Sequence, residues 1–194
     1  TALGVYPYQT NSDEANPYAG LISNASGNTL YGTAAGGGGS GYGTVFAVNT
    51  NGTGFTTLHG FTARADNGNG VGTNSDGVNS QGLILSGNTL YGTAAGGGSS
   101  GNGTVFKVNT NGTGFTNLHS FTASLCCPQN NSDGATPFAG LILSGNTLYG
   151  TAAYGGSSGN GTVFKLNNDG TGFTNLHSFT AVDQTYYTNS DGVF

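Results

Sequence analysis

The sequence predicts an all-β fold of three four-stranded, blade-like repeats, arranged as in a β-propeller. Three observations predict it. One unit of roughly sixty residues recurs three times, as expected of a repeat architecture. Its apolar residues lie in short runs rich in Val, Phe, Leu, Tyr and Thr, bounded by Gly and Asn turns. No stretch carries a helical period of useful length, and the glycine density penalises helix.

The repeat is nearly verbatim. From Leu83 the chain reads LILSGNTLYGTAAGGGSSGNGTVFKVNTNGTGFTNLHSFTA, and from Leu141 and Leu21 it repeats with few changes. Tyr31, Tyr91 and Tyr149 are equivalent, as are His59, His119 and His177, spaced 60 and 58 residues apart. An NSD motif precedes each copy, at Asp13, Asp76 and Asp133. We read 11–63 as repeat one, 74–123 as repeat two, 131–181 as repeat three and 182–194 as a partial connector, within a single domain spanning 1–194.

Repeat two predicts strands near 82–86, 88–95, 103–110 and 115–123. Gly87-Asn88 is a tight hairpin turn, and Asn111-Gly112 lies in a slightly longer one. The glycine run 96–103 reads as a flexible loop. Alternation puts Phe115, His119 and Phe121 on one face of the last strand and Leu118 on the other. Phe106 and Val108 likewise oppose Val105. Apolar residues on both faces imply sheets covered on both sides, as in stacked blades. A threefold β-trefoil or β-prism is the alternative.

Composition narrows the function. Only 6% of the 194 residues are charged and 35% are hydrophobic, yet the chain has 10 Tyr and 11 Phe. Disorder pairs low hydrophobicity with high charge, and here the charge is missing. The net charge is −5, with Arg64, Lys107 and Lys165 the only strong cations. That argues against nucleic acid and anionic membranes as partners. No apolar run approaches a membrane span.

The string GTVFKVNTNGTGFTNLHSF at 103–121, with its counterparts at 43–61 and 161–179, resembles the bacterial GloVer tandem repeat. So do the preceding DG…P-x-A-G-L and N-T-L-Y-G-T elements. The resemblance covers most of the chain. It implies secreted, often surface-sorted bacterial proteins with blade-like repeats, and no catalytic residues. One departure stands out: three blades fall below the usual four to eight of a closed propeller. The same connector occurs at both ends, from Thr1-Ala2 to Asp13 and from Thr180-Ala181 to Asp191. The pattern is cut mid-unit at each end, and uncapped repeats tend to associate. The chain itself is therefore the expected partner, head to tail, through strand addition by the connector.

Candidate sites each have a structural counterpart. The glycine run 36–43 matches a dinucleotide fingerprint, but a strand follows it where that fingerprint needs a helix, so no cofactor is expected. His59, His119 and His177 could converge as a metal site, or each could pack between phenylalanines with one ring nitrogen hydrogen-bonded. No metal site is expected. Ser120 and Ser178 follow two of the histidines, but Gly60 replaces serine in repeat one, and no catalytic residue is expected. The NSD motifs suit either calcium or Asx turns. Sequons at Asn24, Asn51, Asn102, Asn111, Asn130 and Asn160 are candidate glycosylation sites, and Asn-Gly-Thr is also good turn chemistry. Cys126 and Cys127 are the candidate disulfide. Adjacent cysteines pair only through a strained ring, and a bridge to another chain or two thiols are the alternatives. The expected function is a non-enzymatic extracellular structural protein, the protomer of a head-to-tail fibre or surface layer bearing covalent glycans. The alternative is a secreted carbohydrate-binding module using Tyr18, Phe138 and Tyr154.

Overall fold

A computed structural model describes residues 11–68, 70–124, 130–181 and 188–193. Cys126, Cys127 and the start of the N-terminal connector lie outside the described residues. Among the described residues every regular element is a strand.

Each repeat folds as its own four-stranded antiparallel meander. Blade one comprises Ile22–Ser23, Thr29–Ala34, Thr44–Asn49 and Thr56–Gly60. Blade two comprises Val78–Ser86, Thr89–Gly96, Thr104–Asn109 and Thr116–Ser120. Blade three comprises Ile142–Ser144, Thr147–Ala152, Thr162–Asn167 and Thr174–Ser178. No four-stranded sheet mixes strands of two repeats, so the blade arrangement holds and the trefoil or prism does not. The connectors form two-stranded ribbons, among them Asn11–Ala15 on Gly36–Gly38 and Thr188–Asn189 on Gly192–Val193.

The sheets stack in series. One core cluster joins Tyr31, Val45 and Phe61 of blade one to Leu83, Leu90 and Phe106 of blade two. The next joins Tyr91, Val105 and Phe121 of blade two to Leu141, Leu148 and Phe164 of blade three. Blade two therefore carries two different apolar faces, one for each neighbour. Gly92 makes one of them dense. A Cβ there would lie 2.6 Å from the Phe106 ring and 2.8 Å from Leu83, so only glycine lets those side chains close over the strand.

Two expectations change. Phe115, His119 and Phe121 do not share one face. The register slips between Val105↔His119 and Phe106↔Asn117, which makes Leu118 the extra residue of a β-bulge. Leu118, His119 and Phe121 consequently face blade three, while Phe115 packs toward blade one. The glycine run is also not a loose loop. The bond from the Gly103 amide to the Gly97 carbonyl, 3.0 Å, recurs at Gly43 and Gly161.

Candidate functional site

The blade junction is where the repeated polar residues meet. Each last strand ends in H-x-F-T and the next unit opens N-S-D. The bulge sets His119 opposite Val105, and residues paired across an antiparallel ladder share a face. The imidazole thereby points toward blade three. It stacks on Phe173 of that blade at 3.8 Å between centroids and 9° between planes, and meets its own Phe121 edge-on at 5.0 Å. His59 repeats this with Phe115 at 3.6 Å and Phe61 at 5.1 Å. One aromatic neighbour is thus the expected one, and the other comes from the next repeat.

The ring nitrogen is committed to the following NSD motif. His59 Nε2 donates to Asp76 at 3.0 Å and His119 Nε2 to Asp133 at 2.9 Å. Each carboxylate also accepts the hydroxyl and backbone amide of Thr62 or Thr122. Burial pushes the Asp76 and Asp133 carboxyls up, but the hydrogen bonds from histidine and threonine together outweigh it and hold both below the ordinary value of 3.8. A third pair, His177–Asp191, is longer at 3.2 Å and more exposed.

The asparagine of the motif completes the latch. Asn74 donates to the Thr62 and Gly77 carbonyls and accepts from the Gly77 and Gly98 amides, all within 2.8–2.9 Å. Asn131 repeats the set. NSD is therefore a clasp whose asparagine orders its own turn and whose aspartate holds the preceding blade.

Other candidates fall elsewhere. The three histidines sit at successive junctions, so the convergent metal site does not form. Among the described residues no group of three metal-ligating side chains comes together. Ser120 and Ser178 accept hydrogen bonds from Asn117 and Asn175 at 2.8 Å. Asn51 and Asn111 cap Asx turns by accepting from Thr53 and Thr113, and Asp169 does the same for Thr171 in repeat three. Asn102 and Asn160 donate to the Thr122 and Thr180 carbonyls. Asn24 caps the 24–29 turn, and Asn130 is half-buried. Tyr18, Phe138 and Tyr154 are exposed. The residues that pattern reading missed are Thr62, Thr122 and the aspartates as partners of the histidines. Their signal was present: H-x-F-T is followed by NSD after every copy.

This geometry defines a tandem β-repeat protein of propeller-type blades joined by histidine–aspartate latches. The chain belongs to the Gloeobacter/Verrucomicrobia repeat family, whose model matches residues 2–193. No curated protein matches it. Among solved structures, a chain of the nidogen/laminin complex is similar at a TM-score of 0.53 and 15% identity, covering 82% of this chain and 47% of that one. The GH93 α-L-arabinofuranosidase of Fusarium graminearum, solved with arabinobiose, gives a TM-score of 0.49 and 14% identity, covering 86% of this chain and 50% of that one. The chain spans about half the length of either. At 15% identity the likeness to the nidogen/laminin chain is one of fold alone.

Proposed function

We propose that this chain is a non-enzymatic extracellular structural protein, a protomer that builds a head-to-tail fibre or surface layer and carries glycans on its turn asparagines. One observation supports the reading: among the described residues, each end of the blade stack presents exposed the counterpart of a face that is buried between blades. Leu21 is 52% exposed where Leu83 and Leu141 are 5% and 3%, and Leu176 is 47% exposed where Leu118 is 8%. The His–Asp pairs are occupied in joining blades, which supports an architectural role. Asn51, Asn111 and Asn160 are exposed and accessible to glycan attachment. Electron microscopy of native secreted material, without reducing agent, tests the reading. Uniform filaments or sheets with a repeat near one protomer are expected. Discrete particles a few nanometres wide overturn it.

The second reading, a carbohydrate-binding module, is favoured by Tyr18, Phe138 and Tyr154, which are 80%, 52% and 49% exposed. Such rings offer stacking faces for sugars. Oligosaccharide titration with tyrosine fluorescence as readout separates the two, since a purely architectural protein gives no saturable change.

A further inference from the structure

We infer that the open face of blade three receives the open face of blade one from a second copy of this chain, in the register that joins the blades within one copy. The inference rests on the head-to-tail reading above and specifies its joint.

The two internal junctions are chemically the same joint. In the first, Phe115 stacks on His59, the Thr33 hydroxyl donates to the Gln81 carbonyl at 3.1 Å, and Leu83 is buried. In the second, Phe173 stacks on His119, the Thr93 hydroxyl donates to the Ala139 carbonyl at 2.9 Å, and Leu141 is buried. The turn glycine also repeats. A Cβ on Gly112 would lie 3.0 Å from the Leu58 carbonyl, and one on Gly170 lies 3.0 Å from the Leu118 carbonyl.

The ends carry the two halves of this joint separately. On blade three, the His177 side chain is 48% exposed, and among the described residues the one aromatic ring against it is its own Phe179, with no partner from a following blade stacked on it. Thr151, equivalent to Thr93, is exposed. It lines a cleft of about 560 Å³ together with Asn160 and Phe179. The equivalent place on blade two is filled: the Thr136 amide donates to the Asn102 carbonyl at 2.8 Å, and Pro137 lies against Gly103. On blade one, Phe55, equivalent to Phe115 and Phe173, is 44% exposed. Built Cβ atoms on Gly52 and Gly20 meet nothing within 4 Å.

Each exposed group on one end thus has its mate on the other. Phe55 of one copy fits over His177 of the next, Leu21 enters the blade-three counterpart of the faces that bury Leu83 and Leu141 inside the chain, and Thr151 donates to the Ala19 carbonyl. A second copy supplies the missing half at equal stoichiometry, and the contact continues an interface the chain already makes twice. The contact is heterologous, so it propagates rather than pairing like with like. The chain holds two equivalent connectors at such a joint, Asn11–Ala15 on blade one and the Asp191 turn on blade three. An internal junction uses one, so one is displaced as the joint closes.

Sedimentation velocity on the full chain tests this with Leu21→Asp and Leu176→Asp. Both leucines are half-exposed in the single copy, so each variant is first checked for an unchanged melt. Where Leu21→Asp melts early, Phe55→Ser takes its place. Wild type is expected to form oligomers that grow with concentration. Each variant alone is expected to lose self-affinity by roughly tenfold or more, as when a central interface residue is removed. A one-to-one mixture is expected to stop at dimers, because one copy keeps blade three intact and the other keeps blade one. Wild-type oligomers with no dimer in the mixture would overturn this joint while leaving the head-to-tail reading standing. A wild type that stays monomeric up to millimolar concentration would overturn both.

Discussion

Blade two and blade three differ by few residues, yet their outer faces live in different surroundings. Leu118 is 8% exposed and its counterpart Leu176 is 47% exposed. Phe121 is fully buried and Phe179 is half-buried. Thr93 is buried with its hydroxyl on a carbonyl of the next blade, while Thr151 is exposed. The strings TNLHSFT are identical at the two sites. The difference lies in what covers them. Blade two has blade three on top, and blade three has no further blade among the described residues. Local sequence makes the blade, and the neighbour makes the core. This is the nearest-neighbour energetics of repeat proteins, in which each interface contributes its own share.

Substitutions at matched positions sharpen that contrast. The largest effect is expected from Leu118→Asp, which places a charge in a packed interface without a partner, a change that prevents folding or costs several kcal/mol. Leu176→Asp is expected to leave the melting temperature of the isolated copy nearly unchanged. Equal destabilisation by the two would break the comparison. Next comes Phe121→Ala, expected to cost about 3–5 kcal/mol in denaturant unfolding, the usual range for a buried phenylalanine. Phe179→Ala is expected to cost less than half of that.

The latches follow. Asp133→Asn should cost about 1–3 kcal/mol, the penalty for leaving buried donors without their acceptor. Asp191→Asn should cost much less, since its latch is solvated. Their pH dependence has a definite sign. The Asp76 and Asp133 carboxyls titrate below the ordinary value in the folded chain. Their contribution is therefore complete above the unfolded-state value of about 3.9 and is lost as pH falls through the lower folded value. Melts from pH 7 down to pH 2 should show that loss, and Asp133→Asn should reduce it. The smallest effect is expected from Asn111→Asp. Asp169 already performs the same turn-capping in repeat three, so the melt should shift by no more than a degree or two.

Much of this was legible in the sequence. The repeat positions, the strand content and the two-sided apolar blades follow from periodicity and turn residues. Two features were hidden, for physical reasons. The bulge at Leu118 shifts the strand by one residue, and simple alternation then assigns Phe115 and Phe121 to the same side. The flexibility expected of 96–103 came from glycine content alone. In the folded chain, Gly103 at φ 100° lies against the Ala94 carbonyl, where a Cβ would come within 2.5 Å. Glycine there serves close packing. The latch was half legible. NSD was visible as a motif, but its partner His lies 14 or 17 residues earlier, at the end of the preceding blade.

The central claim is that the outer faces of blades one and three are unpaired halves of the same joint. Amide hydrogen exchange across a concentration series tests it most directly. Protection of Thr174–Ser178 and of Ile22–Ser23 should rise with protein concentration, while Thr116–Ser120, already covered by blade three, should not change. Protection that is independent of concentration at both ends, or that rises equally at Thr116–Ser120, would contradict it.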